Sequence, residues 1–204
     1  MYMICCDLEG VLVPEVWINV ARWTGIDELK LTTRDINDYN ALMTRRLEIL
    51  HQHGFTINDI QKVISLLELM PGALDFINWL HKRMQMVIVS DTFREFADPL
   101  LEKMGWPVLF CHHLTIDSNG TITDFNLRQE DAKRKVVESL QGLNYKVIAI
   151  GDSYNDISML RQSDMGVFYK PPQNVIDDNP DIRVVNSYNQ LKHIIQEKLD
   201  ENNL

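Results

Sequence analysis

The sequence predicts an α/β protein built on a doubly wound parallel sheet, with a small helical unit inserted after the first strand. Short apolar runs of strand type alternate with segments whose apolar residues recur at helical spacing. Several runs are apolar throughout, which is typical of strands covered on both faces. Three of them end in polar residues, at Asp7–Glu9, Ser90–Asp91 and Gly151–Asp152. Because the carboxyl ends of parallel strands share one edge of a sheet, we expect these residues to meet there.

The first strand is predicted over Tyr2 to Cys6, and it ends in two acids. In an extended chain Asp7 and Glu9 point the same way. Two carboxylates this close repel each other unless a cation or a proton lies between them. Gly10 allows the backbone to turn sharply and to approach a ligand closely.

Residues 14–70 are predicted to be a helical insert. Pro14 suits the first position of a helix that runs to Gly25. A polar link over residues 30–37 leads to a second helix, which ends at His53-Gly54, and Thr56 caps a third. We therefore expect a helical cap over 14–70 on an α/β core formed by 1–13 and 71–204.

From Gly72 onward strands and helices alternate. We predict helices over 73–82, 93–104 and 131–140, one starting at 155, and a terminal helix opened by a capping box at Ser187-x-x-Gln190. Strands are predicted over 86–89, 107–111, 146–150, 165–169 and 183–185. Asn119-Gly120 marks the turn of a hairpin between 114–116 and 121–123. Residues 200–203 are expected to fray.

Composition excludes several classes of protein. The chain has 204 residues, of which 45% are apolar and 24% charged, as in a globular protein with a full core. A formal charge of −9 argues against nucleic-acid binding. No apolar run reaches the ~18 residues of a membrane helix, and no leader-type segment is visible. Three cysteines without Cys-x-x-Cys spacing indicate reduced thiols and a cytoplasmic location.

The polar strand ends predict phosphoryl chemistry. Acids from two strands form an oxygen-only site that suits Mg²⁺, and Asp7 is a candidate nucleophile. Ser90 with nearby backbone N–H groups can hold phosphate oxygens, and Lys133 can supply positive charge. Taken singly, Ser90 is more often a turn residue and Lys133 a surface charge. The cluster of acceptors from Gly151 to Asp156, where Asp156 can anchor a water or a supporting bond, is harder to attribute to folding alone.

The four segments together resemble the haloacid dehalogenase phosphatase superfamily. They are, in chain order, Asp7-x-Glu9-Gly10-Val11, Ser90-Asp91-Thr92, Lys133, and Gly151-Asp152-x-x-Asn155-Asp156. The insert after the first segment resembles the small-cap, phosphoserine phosphatase-like branch. The longer matches over 7–15, 90–93, 127–129, 133–134 and 151–156 resemble bacterial members of that branch that also transfer phosphate from phosphoserine to homoserine.

The resemblance implies roles for the matching positions. It implies a Mg²⁺ site made by Asp7, Asp152 and the backbone carbonyl of Glu9, with Asp7 as the nucleophile and Glu9 as the acid and base. It implies phosphate contacts from Ser90, Asp91 (through its backbone), Lys133 and Asn155. In the cap, Glu15 would hold the substrate amino group and Arg46 its carboxylate, which arginine reads with two hydrogen bonds. Arg45 would point ~100° away from Arg46 on the helix.

One departure from the superfamily pattern concerns Glu9, where an aspartate is usual. The side chain is one methylene longer, so it must fold back or reach toward the cap. We infer that it holds water less well, which would favour a hydroxyl acceptor such as homoserine.

Three alternatives stay open at this point. The protein could be a phosphatase for another small phosphorylated metabolite, because cap residues set the choice of substrate. It could be a response-regulator-like module with a persistent aspartyl-phosphate, although the long insert and Glu9 argue against that. A non-catalytic relative is disfavoured because Asp7, Lys133 and Asp152 are all present. A homodimer is compatible with the sequence, and cap opening is expected to hinge at residues 13–14 and 70–72.

Overall fold

The structure, a computed structural model, describes residues 1–32, 35, 36 and 38–201. The strands are β1 (Tyr2–Cys6), β2 (Gln85–Phe93), β3 (Val108–Ile116), β4 (Ile122–Asn126), β5 (Lys146–Gly151), β6 (Met165–Tyr169) and β7 (Arg183–Val185). The α-helices are α1 (Val16–Thr24), α2 (Tyr39–Gln52), α3 (Ile57–Ser65), α4 (Ala73–His81), α5 (Arg94–Lys103), α6 (Ala132–Gly142), α7 (Ile157–Gln162), α8 (Gln173–Asp178) and α9 (Tyr188–Asp200). Short 3₁₀ helices span Asp27–Lys30 and Tyr154–Asp156.

The strands form one sheet in the order β4-β3-β2-β1-β5-β6-β7. Neighbouring strands are parallel except for the antiparallel pair β3–β4. The predicted doubly wound α/β fold is therefore confirmed. The strand order reverses at β1, with β2 on one side and β5 on the other. Crevices for ligands form at such a reversal.

Helices cover both faces of the sheet, which explains the uninterrupted apolar runs. Along β1, Tyr2, Ile4 and Cys6 belong to one hydrophobic cluster, which also includes residues of α4, α5 and α9. Met3 and Cys5 belong to the opposite cluster, with residues of α6, α7 and α8. A strand in this position buries every side chain. Its sequence therefore lacks the alternation of apolar and polar residues that is typical of a half-exposed strand.

The described part of residues 14–70 is helical, as predicted. Its apolar side chains join the larger hydrophobic cluster of the core, and Trp17 packs edge-on against Phe96 of α5 at 5.6 Å between ring centroids. Ile57 N–H donates to the Gly120 carbonyl at the tip of the hairpin at 2.8 Å. Thr56 caps α3 in a capping box with Asp59. The insert is thus packed on α5 and on the hairpin.

Some predicted boundaries were wrong. Pro14 is not the first residue of α1, because Glu15 caps that helix in a non-helical conformation and the helix begins at Val16. β2 continues through the polar residues to Phe93, with an irregularity after Val89. The hairpin is confirmed, but its first arm is the end of one long β3.

The C-terminal half holds two smaller differences. Helix α8 was not predicted. Ser187 accepts from Gln190 N–H as expected, whereas the Gln190 side chain accepts from Asn186 N–H, so the capping box is not reciprocal. The link over 30–37 and the end over 200–203 lie partly outside the described residues. Within the described ranges, no helix has the length and apolar content needed to cross a membrane.

Candidate active site

The three polar strand ends meet at one edge of the sheet, as predicted. β1 lies between β2 and β5, and Asp7 N–H continues the ladder past the end of β1 by donating to Ile150 O at 2.9 Å. The Asp7 side chain is therefore held between the segments that carry Ser90–Asp91 and Gly151–Asp152.

Three carboxylates cluster at this edge. Asp7, Asp152 and Asp156 each place an oxygen within 4.8 Å of the others. Asp156 is fully buried, and its Oδ2 accepts from the backbone N–H groups of Asp152 at 2.9 Å and Ser153 at 3.1 Å. These two hydrogen bonds fold the loop after β5 around the Asp156 side chain. The sequence analysis assigned Asp156 only a supporting role, yet it belongs to the carboxylate cluster.

Two glycines make this close approach possible. A Cβ on Gly10, whose φ is +76°, would lie 2.4 Å from Asp152 Oδ2. A Cβ on Gly151 would lie 2.4 Å from the Asp156 side chain. Both distances are far below a van der Waals contact, so any larger residue would push an acid out of the cluster.

Lys133 supplies the positive charge of the cluster. Its side chain is 3% exposed, and its Nζ lies 2.7 Å from Asp156 Oδ1, 3.0 Å from Asp7 Oδ1 and 3.7 Å from Asp91 Oδ2. Burial alone would lower the pKa of Lys133, but these carboxylates hold it well above its ordinary value. Lys133 is therefore a buried cation and not the exposed surface charge that its basic neighbours suggested.

One lysine does not balance the buried acids. Burial raises the pKa of Asp7 well above its usual range, Asp156 and Asp152 add to that rise, and Lys133 opposes it. Asp7 Oδ1 is also buried without a well-aligned hydrogen bond from the described residues. A cluster of buried oxygen ligands with this deficit of positive charge fits a hard divalent cation.

The side chain of Glu9 departs from the expected geometry. Leu12 and Val13 N–H groups both donate to Leu8 O, so the chain turns at once instead of remaining extended. The Glu9 carboxyl accepts from Val16 N–H at 2.8 Å, at the start of α1. The expectation that Asp7 and Glu9 point the same way was wrong, because it assumed a continuing strand.

Glu9 is held in a protonated state by its surroundings. Burial raises the pKa of Glu9 to about 8, and the nearby Glu15 carboxylate adds to that rise. At neutral pH the carboxyl is therefore mostly protonated, which is the state that can give a proton to a leaving oxygen.

Asp91 joins several elements around the site. Its Oδ2 accepts from Asn155 Nδ2 at 2.7 Å, and its Oδ1 lies 3.5 Å from His112 Nε2. Its backbone carbonyl accepts from the Tyr39 hydroxyl of α2 at 2.9 Å. Beside it, the buried Ser90 Oγ accepts from Thr92 N–H at 3.2 Å. The sequence analysis missed Tyr39 and His112, which carry no local signal and reach Asp91 only through the fold.

Arg46 lies on the insert side of the site. It is 7% exposed, stacks over Trp17 at 4.5 Å, and donates from Nη2 to Leu31 O at 2.8 Å. Its Nε is buried and has no acceptor among the described residues, and none of their carboxylates forms an ion pair with it. Burial lowers its pKa to about 10, so it stays charged at neutral pH. By contrast, Arg45 points outward and pairs with Glu28 and Glu48.

A cavity of about 210 Å³ joins both sides of the site. The residues predicted to bind substrate or metal or to catalyse the reaction all line it, and they are Asp7, Glu9, Glu15, Arg46, Ser90, Asp91, Lys133, Asp152 and Asn155. Trp17, Tyr39 and Leu42 complete its apolar wall. The carboxylate cluster and the buried guanidinium therefore face one space with the volume of a small molecule.

Comparisons with known proteins relate the chain to one family of hydrolases. A family model for haloacid dehalogenase-like hydrolases matches residues 4–164. The phosphoserine phosphatase ThrH of Pseudomonas aeruginosa is 50% identical over 192 residues, which cover 94% of both chains. A phosphoserine phosphatase of Pseudomonas syringae pv. tomato is 49% identical over 188 residues, covering 92% of this chain and 79% of the relative.

Solved structures show the same fold. A substrate-bound phosphoserine phosphatase complex superposes with a TM-score of 0.78 at 23% identity, covering 96% of this chain and 97% of the other. At that identity the likeness concerns the fold alone. The family match extends over most of the chain and includes the strands that carry the carboxylate cluster. The chain therefore belongs to the haloacid dehalogenase-like hydrolases.

Proposed function

We propose that the protein is a Mg²⁺-dependent phosphoserine phosphatase that works through an aspartyl-phosphate on Asp7. One observation carries the proposal: the cavity lined by Asp7 is also lined by a buried guanidinium, that of Arg46, which forms no ion pair with the described residues. This arrangement suits a small phosphate ester that also carries a carboxylate. The relatives named phosphoserine phosphatases, at 50% and 49% identity, support that choice of substrate.

The amino-acid end of the substrate would be held by the insert. A buried guanidinium without an anion is costly, and a substrate carboxylate would offset its charge with directed hydrogen bonds. Glu15, at the exposed rim of the same cavity, would take the ammonium group. We therefore retain the division into a cap over 14–70, which reads the amino acid, and a core over 1–13 and 71–204, which handles phosphate.

The first chemical step is attack of Asp7 on phosphorus. A bond forms between an Asp7 carboxylate oxygen and phosphorus while the bond from phosphorus to the serine oxygen breaks. Glu9 gives its proton to the departing serine oxygen, so serine leaves as a neutral hydroxyl. Lys133, Ser90, the Asp91 backbone N–H and Asn155 would hold the phosphoryl oxygens in place.

The second step reverses these roles. Glu9, now a carboxylate, takes a proton from a water molecule as that water attacks phosphorus. The bond between phosphorus and Asp7 breaks, inorganic phosphate is released, and Glu9 is protonated again. If a homoserine hydroxyl takes the place of water, the product is a phosphate ester of homoserine, and the same proton balance holds. We propose that this transfer competes with hydrolysis.

The carboxylate cluster would hold the cation. Asp7 and Asp152 are the ligands that we propose, together with the Glu9 backbone carbonyl, and Asp156 holds Lys133 and the Asp152 loop beside them. When bound, the cation would offset the negative charge of Asp7 and the phosphate as they approach each other. Oxygen ligands alone favour Mg²⁺ over softer metals.

A product assay tests the proposal. The purified protein is incubated with phosphoserine and Mg²⁺, with or without homoserine, and serine, phosphate and phosphohomoserine are measured. A parallel reaction contains a chelator in place of Mg²⁺. We expect phosphate release that depends on Mg²⁺, and phosphohomoserine when homoserine is added. Absence of phosphate release from phosphoserine would refute the substrate, and undiminished release with the chelator would refute the cation requirement.

A further inference from the structure

His112 contacts the phosphate side of the site without belonging to the predicted catalytic set. It lies on β3 and is 4% exposed. Its Nδ1 accepts from Arg128 N–H at 3.1 Å, so in the neutral ring the proton is on Nε2. That N–H faces Asp91 Oδ1 at 3.5 Å. The ring is therefore oriented by one backbone contact and directs its donor at a single carboxylate.

The Asp91 carboxylate is shared by groups from three other parts of the chain. Asn155 donates to its Oδ2 at 2.7 Å, and Lys133 Nζ lies 3.7 Å from the same oxygen. Burial alone would raise the pKa of Asp91, but Lys133 and the hydrogen bonds from His112 and Asn155 hold it well below its usual range. Asp91 is thus a permanent negative charge beside the place where a phosphate would bind.

A negative charge in that position must be kept from facing the phosphate. The His112 donor occupies Oδ1 on the side away from Lys133, which keeps Oδ2 toward Asn155 and Lys133. The Asn155 amide nitrogen has two hydrogens, and donation of one to Asp91 leaves the other for a phosphate oxygen.

From this geometry we infer that His112 is a positioning residue for phosphate binding, acting through the Asp91 carboxylate. The inference rests on the proposed phosphatase function for its setting, because the bound group is taken to be a phosphate. It assigns to His112 an effect on phosphate affinity and none on the bond-breaking step itself.

Two substitutions separate this role from a structural one. In His112→Gln the side-chain amide nitrogen can reach the position of Nε2 and still donate to Asp91, while the acceptor for Arg128 N–H is lost. In His112→Asn the amide oxygen can take the position of Nδ1 and accept from Arg128, while nothing reaches Asp91. Melting temperatures are measured first, to establish that both variants fold.

The readouts are the KM and kcat for phosphoserine and the equilibrium binding of inorganic phosphate to the Mg²⁺-loaded protein, measured by calorimetry. We expect His112→Asn to raise KM and to weaken phosphate binding by about tenfold with little change in kcat, because the contact from His112 Nε2 to the Asp91 carboxylate has been lost. His112→Gln is expected to recover most of that loss. The neighbouring exposed histidine provides the matched control, His113→Asn, which should behave as the unsubstituted protein.

The result that overturns the inference is the reverse order, with His112→Gln as impaired as His112→Asn or more so. Phosphate binding equal to that of the unsubstituted protein in His112→Asn would overturn it as well. A wrong choice of substrate can be distinguished from a wrong role for His112. If the unsubstituted protein does not hydrolyse phosphoserine but binds inorganic phosphate with the expected order among the variants, the substrate is wrong and the role of His112 stands.

Discussion

Replacing Arg46 by alanine removes the one buried cation that we assign to the substrate carboxylate. Arg46 is 7% exposed, so the contact that it makes with a ligand is shielded from water. Truncating one partner of a buried, hydrogen-bonded charge pair costs about 2–5 kcal/mol. A value near 3 kcal/mol, toward the lower end because Leu31 O already takes one of the guanidinium donors, corresponds to a fall of about 100-fold in kcat/KM.

The assay compares two substrates that differ only in the carboxylate. Phosphoserine is compared with O-phosphoethanolamine, in which a hydrogen replaces the carboxylate. In Arg46→Ala we expect kcat/KM to fall about 100-fold for phosphoserine, mainly through KM, and to change by less than about threefold for O-phosphoethanolamine. Arg45→Ala is the matched control, because the neighbouring side chain is 43% exposed and pairs with Glu28 and Glu48. It should leave both substrates unaffected.

Equal losses on the two substrates would refute the reasoning, because they would mean that Arg46 supports the site without reading the carboxylate. Arg46→Ala also leaves Leu31 O without its donor and removes the cation above Trp17. A second variant, Arg46→Lys, guards against a folding defect. It keeps the charge but not the two-pronged geometry, so we expect an intermediate loss that is again confined to phosphoserine.

Three further predictions concern the acids. Asp7→Asn should abolish turnover, and turnover at the unsubstituted rate would place the nucleophile elsewhere. Without added cation, the melting temperature of this variant should be unchanged or higher. The reason is that a neutral group replaces a carboxyl whose pKa is raised by burial and by Asp156. The protonated form of Glu9 is needed for the first step, so kcat/KM should decline as the pH rises through about 8. Glu15→Gln removes a neighbouring charge that raises the pKa of Glu9, so the decline should begin at lower pH, and a decline at unchanged or higher pH would contradict the assignment. Glu9→Asp should shift products from phosphohomoserine toward free phosphate when both acceptors are present, and an unchanged product ratio would exclude side-chain length as the cause.

The architecture was predictable because its signals are local. Uninterrupted apolar runs marked the central strands, and the acids after them marked the functional edge, since parallel strands place these ends together. Asp7, Ser90 and Asp152 were found for the same reason, because each follows a predicted strand. Glu15 and Arg46, by contrast, were assigned only through the resemblance to a known family.

The orientation of the side chains was not predictable in the same way. Glu9 turns toward α1 because the chain folds back on Leu8. Backbone hydrogen bonds determine this turn, and the hydrophobic periodicity of the sequence does not predict it. His112 and Tyr39 meet at Asp91 from positions 21 and 52 residues away along the chain. Of two adjacent histidines on β3, only the one facing inward joins the site, and the sequence does not distinguish them.

The hydrogen bond from Val16 N–H to Glu9 ties the reaction to the first helix of the insert. When Glu9 gives up its proton, the new negative charge lies at the amino end of α1, where the aligned peptide groups favour an anion by about 0.3–1 kcal/mol. The conjugate base is thus stabilised at the moment when it must wait for the second acceptor. The same charge strengthens the hydrogen bond from Val16 N–H to Glu9, which joins the insert to the core. Helix α1 is therefore held most firmly while Asp7 carries the phosphoryl group.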